Sequence, residues 1–224
     1  MADECDVSKI VTTFLLNTCR LPQRLTEHDI QAAISCCMTA GKRPQDDEGA
    51  ELIPLITGSV AEFYIEPMLP HVSDIDVMYY WNSMLAIPRG HPPPTQLPAE
   101  FHNYVKILEI IDSHLSGYVY LPLRYFHIRV TDGEKYNCVE NMETNICPLK
   151  NFSCVNGHVH GPATFTPLSD PFLSIDAVPC IRCLVWPSQA ADWPTRHRNY
   201  GWPDSATIHC VVSNGCDVVP AAHR

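Results

Sequence analysis

Gly58-Ser59-Val60-Ala61-Glu62, followed by Ser73-Asp74-Ile75-Asp76-Val77-Met78, is the stretch on which the fold is decided. Residues 52–56 before it are short, apolar and strand-like, and Gly58-Ser59 ends that strand. Asp74–Trp81 reads as the next strand. Side chains alternate across a strand, so Asp74 and Asp76 project from one face about 7 Å apart, while Ile75 and Val77 bury on the other. Two carboxylates that close repel each other unless a cation sits between them. Mg²⁺ takes a few carboxylate oxygens together with phosphate oxygens. A glycine directly after a strand lets the backbone approach a phosphate, which a serine hydroxyl and nearby N–H groups can bind. A third carboxylate is wanted on a neighbouring strand. Asp176, in Ser174-Ile175-Asp176-Ala177-Val178, is the best candidate, because a charge flanked by apolar strand residues needs a partner. Gly-Ser and Asp-x-Asp are both common, and spacing alone favours a turn beside a solvated strand edge.

Composition sets the frame around this stretch. The chain has 224 residues, 46% of them apolar and 18% charged, which suits a globular chain of one large domain or two small ones. No apolar run approaches the roughly 20 residues of a spanning helix. The start, MADECDVSK, is acidic from the third residue and does not read as a signal peptide. Fifteen Lys and Arg against 25 Asp and Glu give −10, which argues against coating nucleic acid through general charge but leaves room for a local basic patch. Eleven cysteines, an odd number, point to free thiols in a reducing compartment.

Outward from the acids, residues 6–20 read as an amphipathic helix through Val7, Ile10, Val11, Phe14 and Leu15. Thr26 and Asp29 resemble a capping box ahead of a second helix with Ile30, Ala33, Ile34, Cys37 and Met38 on one face. Residues 87–98 hold five prolines and read as an extended surface loop. Residues 104–111 and 118–130 are strand-rich, with Thr131-Asp132-Gly133-Glu134 as a turn after them. Residues 134–158 read mostly as loop, and 161–166 and 172–186 as the last strong strands. Two helices followed by a sheet with long connections make an α/β or α+β domain with no clean internal boundary.

Further segments support a resemblance. His160-Gly161-Pro162-Ala163 precedes the strand of Asp176. Val185-Trp186-Pro187 is followed by Ala191-x-Trp193-Pro194, Gly201-Trp202-Pro203 and Gly215-Cys216-Asp217-Val218-Val219-Pro220. Together with Gly58-Ser59-x-x-Glu62, Asp74-x-Asp76 and Asp176, these resemble the male-abnormal-twenty-one (Mab) family of nucleotidyltransferases, which contains the cyclic GMP-AMP synthases and the animal cGAS-like receptors. The resemblance spans the chain and is firmest over 51–86 and 157–224. It implies a polymerase-β-like nucleotidyltransferase core, α/β (α+β) in class: a twisted mixed sheet with N-terminal helices, residues 1–224 forming a single domain. The family's C-terminal helical lobe and zinc-binding insertion are not recognisable in the sequence.

The resemblance also implies a chemistry. Asp74, Asp76 and Asp176 would be catalytic and would hold Mg²⁺ (or Mn²⁺), and Gly58 and Ser59 would bind nucleotide. ATP and GTP would be joined into a cyclic dinucleotide in innate immune signalling. Double-stranded RNA or DNA would be the activating partner, and the location cytoplasmic, or nuclear. A non-catalytic interaction or developmental protein, or a truncated inactive fragment, is the alternative.

Other residues have more ordinary readings. His158-Val159-His160 reads as a polar loop rather than a metal pair on a strand. Trp186, Trp193 and Trp202, each followed by proline, read as packing residues that fix turns rather than base-stacking platforms. Glu62 reads as a helix-capping acid rather than a metal ligand. Cys180 and Cys183 read as buried strand thiols; a zinc set completed by Cys210, Cys216 and His223 is the lesser alternative. The basic cluster Arg20, Arg24, Lys42 and Arg43, and Arg196, Arg198 and Arg224 near the end, read mainly as solvated surface.

Overall fold

The computed structural model describes residues 28, 31, 35, 49–58, 74–115, 117–130, 135–141, 158–160, 163–167, 174–198, 201 and 203–219, with backbone alone at 74, 158–160 and 164–167. Among the described residues the strands are β1 (Leu52–Thr57), β2 (Asp74–Trp81), β3 (Met84–Pro88), β4 (Tyr104–Asp112), β5 (Val119–Tyr120), β6 (Leu123–Arg129), β7 (Tyr136–Glu140), β8 (His158–His160), β9 (Ala163–Pro167), β10 (Ser174–Cys183) and β11 (Cys216–Val218). One α-helix, α1 (Ser205–Ser213), precedes β11. The chain divides into two compact units, Met1–Gly41 with Pro54–Met78 and Ser153–Val178, and Lys42–Ile53 with Tyr79–Phe152 and Pro179–Arg224.

In the first unit, β1, β2 and β10 are successive hydrogen-bonded neighbours. β9 lies antiparallel to β10, with Phe165 opposite Asp176, and β8 forms an antiparallel hairpin with β9. Ile75, Val77, Ile175 and Ala177 are at most 1% exposed. Asp76 and Asp176, each between two of those residues, are half-buried. This is the period-two alternation of strands with one face packed. His28, Gln31 and Ser35 are helical and exposed. The Ser35 hydroxyl donates to the Gln31 carbonyl at 2.9 Å. The expected helix over 6–20, the Thr26 cap and the turn at 131–134 lie outside the described residues.

In the second unit the order is β10-β3-β4-β6-β7, with β5 added to β4 and β11 to β10. β3 runs parallel to both neighbours, pairing Ala86 with Cys183 and Met84 to Pro88 with Lys106 to Ile110. β4, β6 and β7 are antiparallel in turn, with a register irregularity between Ile107 and Leu108. All five β3 residues are buried, as expected of a parallel strand covered on both faces. Only Asn82 and Ser83 separate β2 from β3, yet the two strands do not pair, because β10 runs between them. Asn82 makes this turn possible. Its Oδ1 accepts from the Glu51 N–H at 2.9 Å and its Nδ2 donates to the Glu100 carbonyl at 3.0 Å. The buried amide is thereby satisfied on both sides.

α1 is capped by Asp204, whose carboxylate accepts from the Thr207 N–H at 2.7 Å. After the helix, Gly215 adopts φ +80 and lies flat against β10. A Cβ there would overlap the Cys183 carbonyl oxygen and stand 2.8 Å from the Leu184 carbonyl carbon. The glycine therefore lets β11 dock on β10. No helix among the described residues is long and apolar enough to cross a membrane.

Four segments depart from the sequence reading. Met84–Pro88 is a central strand, although residues 87–98 were expected to be loop throughout. Tyr136–Glu140 is a strand inside the stretch 134–158 expected to be mostly loop. It pairs on one side only and buries only Tyr136, so its composition resembles a loop. His158–His160 is a strand rather than a loop, because its backbone bonds are taken by β9. The run 118–130 breaks into β5 and β6 around Leu121 and Pro122.

Candidate active site

The site is built where β1 ends beside β2. Gly58 follows β1 with φ +64. A Cβ at this position would overlap Oδ2 of Asp76 and stand 2.7 Å from its Cγ and 3.0 Å from its Cβ. Both the left-handed backbone and the close approach require glycine. Thr57 Oγ1 donates to the Asp76 carbonyl at 3.3 Å, tying the end of β1 to β2 beside the turn. The structure thus brings together two of the residues singled out in the sequence, Gly58 and Asp76.

Asp176 stands on β10, the strand neighbouring β2. It is half-buried between Ile175 and Ala177. Asp74 opens β2, two residues from Asp76 and so on the same strand face. Its side chain and the whole of Ser59 lie outside the described residues, as does Glu62. Among the described residues, which leave out the Asp74 carboxylate, no group of three or more His, Cys, Asp and Glu side chains is gathered to hold a metal. The donor set still has a definite character. Carboxylate oxygens on neighbouring strands are hard donors, of the kind that would suit a hard divalent cation sharing its shell with phosphate oxygens. They do not fit a soft, thiolate-seeking metal.

Other candidates belong to the second unit. The Trp186 and Trp193 rings tilt together at 5.3 Å, and Trp186 Nε1 donates to the Ala190 carbonyl at 2.9 Å. The Arg198 guanidinium lies 4.7 Å over the Trp193 ring, and Arg196 pairs with Asp192 at 3.3 Å on the surface. These tryptophans fix a turn, as their Trp-Pro context predicts. Cys180 and Cys183 are buried strand thiols, again as expected. Burial and the Asp217 carboxylate push the Cys180 thiol up to about 12, so it is inert as a nucleophile at neutral pH.

Two polar features of the second unit left no mark in the sequence. Arg182 and Asp217 are register partners on β10 and β11 and form a 3.0 Å ion pair. Arg182 also donates to the Asn214 carbonyl. Opposed charges in separate segments give no local signal. His127 is 1% exposed, is stacked on Tyr136 at 5.8 Å, and has no hydrogen-bond partner on either ring nitrogen among the described residues. Burial pulls its imidazole below the usual histidine range.

A mixed, mostly β sheet with few helices, bearing acids on adjacent strands and a glycine turn folded onto one of them, has the character of an α+β nucleotidyltransferase core. The family model for the Mab-21 protein nucleotidyltransferase domain matches residues 98–224, more than half of the chain. The chain belongs to the Mab-21 nucleotidyltransferase family. The matched residues include Asp176 and the strands β4 to β11, while Gly58, Ser59, Asp74 and Asp76 precede them. No solved structure matches the chain.

Proposed function

We propose that this chain joins nucleoside triphosphates, ATP and GTP among them, into a cyclic dinucleotide, with double-stranded RNA or DNA as the activator. The observation that supports the reading is the close approach of Gly58 to the Asp76 carboxylate, which sets the glycine after β1 against one of the candidate acids. Asp74, Asp76 and Asp176 hold Mg²⁺ or Mn²⁺ in this reading. Bound there, the divalent ions would favour loss of the ribose hydroxyl proton and neutralise charge on the α-phosphate and the leaving pyrophosphate. Gly58 presents its backbone to the triphosphate without a side chain in the way, and Ser59 adds a hydroxyl and an N–H. Thr57 holds the end of β1 against β2, which in this reading would orient the triphosphate relative to Asp76. The parity of positions 74 and 76 sets both on the strand face opposite Ile75 and Val77.

The test is transfer with purified protein, labelled ATP, GTP, CTP and UTP, Mg²⁺ or Mn²⁺, and double-stranded RNA or DNA. A dinucleotide product that disappears in Asp76→Asn supports the reading. No product with any metal and nucleic acid, from protein with a cooperative melting transition, overturns it in favour of a non-catalytic family member.

A further inference from the structure

β10 and β11 pair antiparallel with Ile181 opposite Val218, Arg182 opposite Asp217 and Cys183 opposite Cys216. The two cysteines come from segments on either side of α1, and the register sets them directly across from each other. Directly opposed residues of an antiparallel pair have Cα atoms roughly 4.5–5.5 Å apart, inside the roughly 4.4–6.8 Å that a disulfide spans. Both are free thiols here. The register sets the two side chains on the same face of the strand pair. Cys183 donates to the Val185 carbonyl at 3.0 Å. The register is held by more than the thiols. The Arg182–Asp217 ion pair and the close approach of Gly215 to the Cys183 carbonyl fix β11 one residue to either side of Cys216.

We propose that Cys183 and Cys216 are a cross-strand dithiol that a low-molecular-weight disulfide, such as oxidised glutathione, closes into a reversible disulfide. In the exchange one sulfur of the pair, as thiolate, displaces one thiolate from the small disulfide and forms a mixed disulfide. The second protein sulfur then displaces the other. The two thiol protons of the protein end on the two small thiols, and the protein loses two hydrogens. Cys183, whose thiol the neighbouring Cys216 holds down against the effect of burial, is the sulfur favoured as thiolate, and Cys216 is the more exposed of the two. The neighbouring Cys183, together with burial, raises the Cys216 thiol in turn. Cys180, on the opposite face of β10 and donating to the Tyr79 carbonyl at 3.3 Å, takes no part.

The test uses the full chain, purified reduced and equilibrated with oxidised glutathione, with remaining thiols alkylated before tryptic mapping. Trypsin cuts after Arg182 and Arg196, so Cys183 lies alone in its peptide, whereas Cys210 and Cys216 share one. Cys210→Ser therefore assigns the partner. A Cys183–Cys216 cross-linked peptide in wild type and Cys210→Ser, absent in Cys216→Ser, is the expected result. It should come with a Tm raised by about 5 °C or more that returns to its starting value on reduction. Alkylation of Cys183 at the end point, a link from Cys183 to any other cysteine, or a glutathione adduct that stays on Cys216 without closing would each overturn the proposal. If Cys216→Ser does not fold, the wild-type and Cys210→Ser maps decide alone.

Discussion

Gly58 leaves no room for a side chain against the Asp76 carboxylate, so the turn after β1 and the acid of β2 are shaped to each other. Gly58→Ala should therefore fail twice. The left-handed backbone costs an alanine about 1–2 kcal/mol, and the new Cβ must also push Asp76 aside. Urea denaturation of Gly58→Ala, Asp76→Ala and the double variant checks this. The cost of the glycine change should shrink once the Asp76 carboxylate is gone, giving a favourable coupling term. Equal cost in both backgrounds would place the two residues out of contact.

The acids predict a metal-dependent stability. In the proposed reading the two carboxylates share cations; without them, like charges on neighbouring strands do not stabilise each other, so Asp176→Asn should melt no lower than wild type in EDTA. Mg²⁺ with a non-hydrolysable nucleoside triphosphate should raise the wild-type Tm by mass action and raise that of Asp176→Asn less. Transfer by the variant should fall on the order of a hundredfold or more, as several kcal/mol of charge stabilisation is withdrawn.

Arg182 is tested through the partner it leaves behind. The Arg182 and Asp217 side chains are 22% and 17% exposed, and Asp217 Oδ1 is buried with no hydrogen-bond partner among the described residues. Arg182→Met should cost about 2 kcal/mol in chemical denaturation, the usual loss of a hydrogen bond to a charged group. Adding Asp217→Asn should recover part of that loss, because the abandoned charge goes with it.

His127 sets an acid limit. Burial lowers its imidazole in the folded chain, while the unfolded chain protonates near about pH 6.5. Below that pH the unfolded state holds the extra proton first, so its share of the stability, full above about pH 6.5, drains away as pH falls through the folded-state value. His127→Phe should flatten the acid side of a Tm-against-pH curve. An unchanged curve would show that His127 is not the group responsible.

The strands that carry the acids were legible because each obeys a local rule. Ile75 and Val77 alternate with Asp74 and Asp76, and Ile175 and Ala177 flank Asp176, so parity alone separates the buried face from the acidic one. Gly58 was legible as the end of β1, but its close approach to Asp76 was not, because the sequence pattern offered its backbone to a phosphate and the pairing of β1 with β2 is not written in either segment. β3 was not legible. Its five residues are buried on both faces, so no alternation marks them, and Pro88 at the end attaches it by eye to the prolines that follow. β7 was missed from the opposite side, as an edge strand whose mostly exposed residues look like a loop. The Arg182–Asp217 and Cys183–Cys216 pairs depend on the register between β10 and β11, which neither segment specifies by itself.

The threading of β10 between β2 and β3 also sets an order of events at the ribosome. β3, β4, β6 and β7 lie in sequence order within the sheet and can pair as the chain emerges. The slot beside β3 cannot be filled until β10 arrives, and the Cys180–Tyr79 bond there joins residues 101 positions apart. Closing so long a loop is slow, and until it closes the nascent chain shows the bare edge of β3, buried on both faces in the finished sheet, to any passing strand. The strand that fills this slot, and brings Asp176 with it, is made after β3, β4, β6 and β7. A nascent chain halted before residue 174 is therefore exposed to edge-to-edge aggregation for as long as it waits, which makes this fold a natural client for chaperones that shield open sheets.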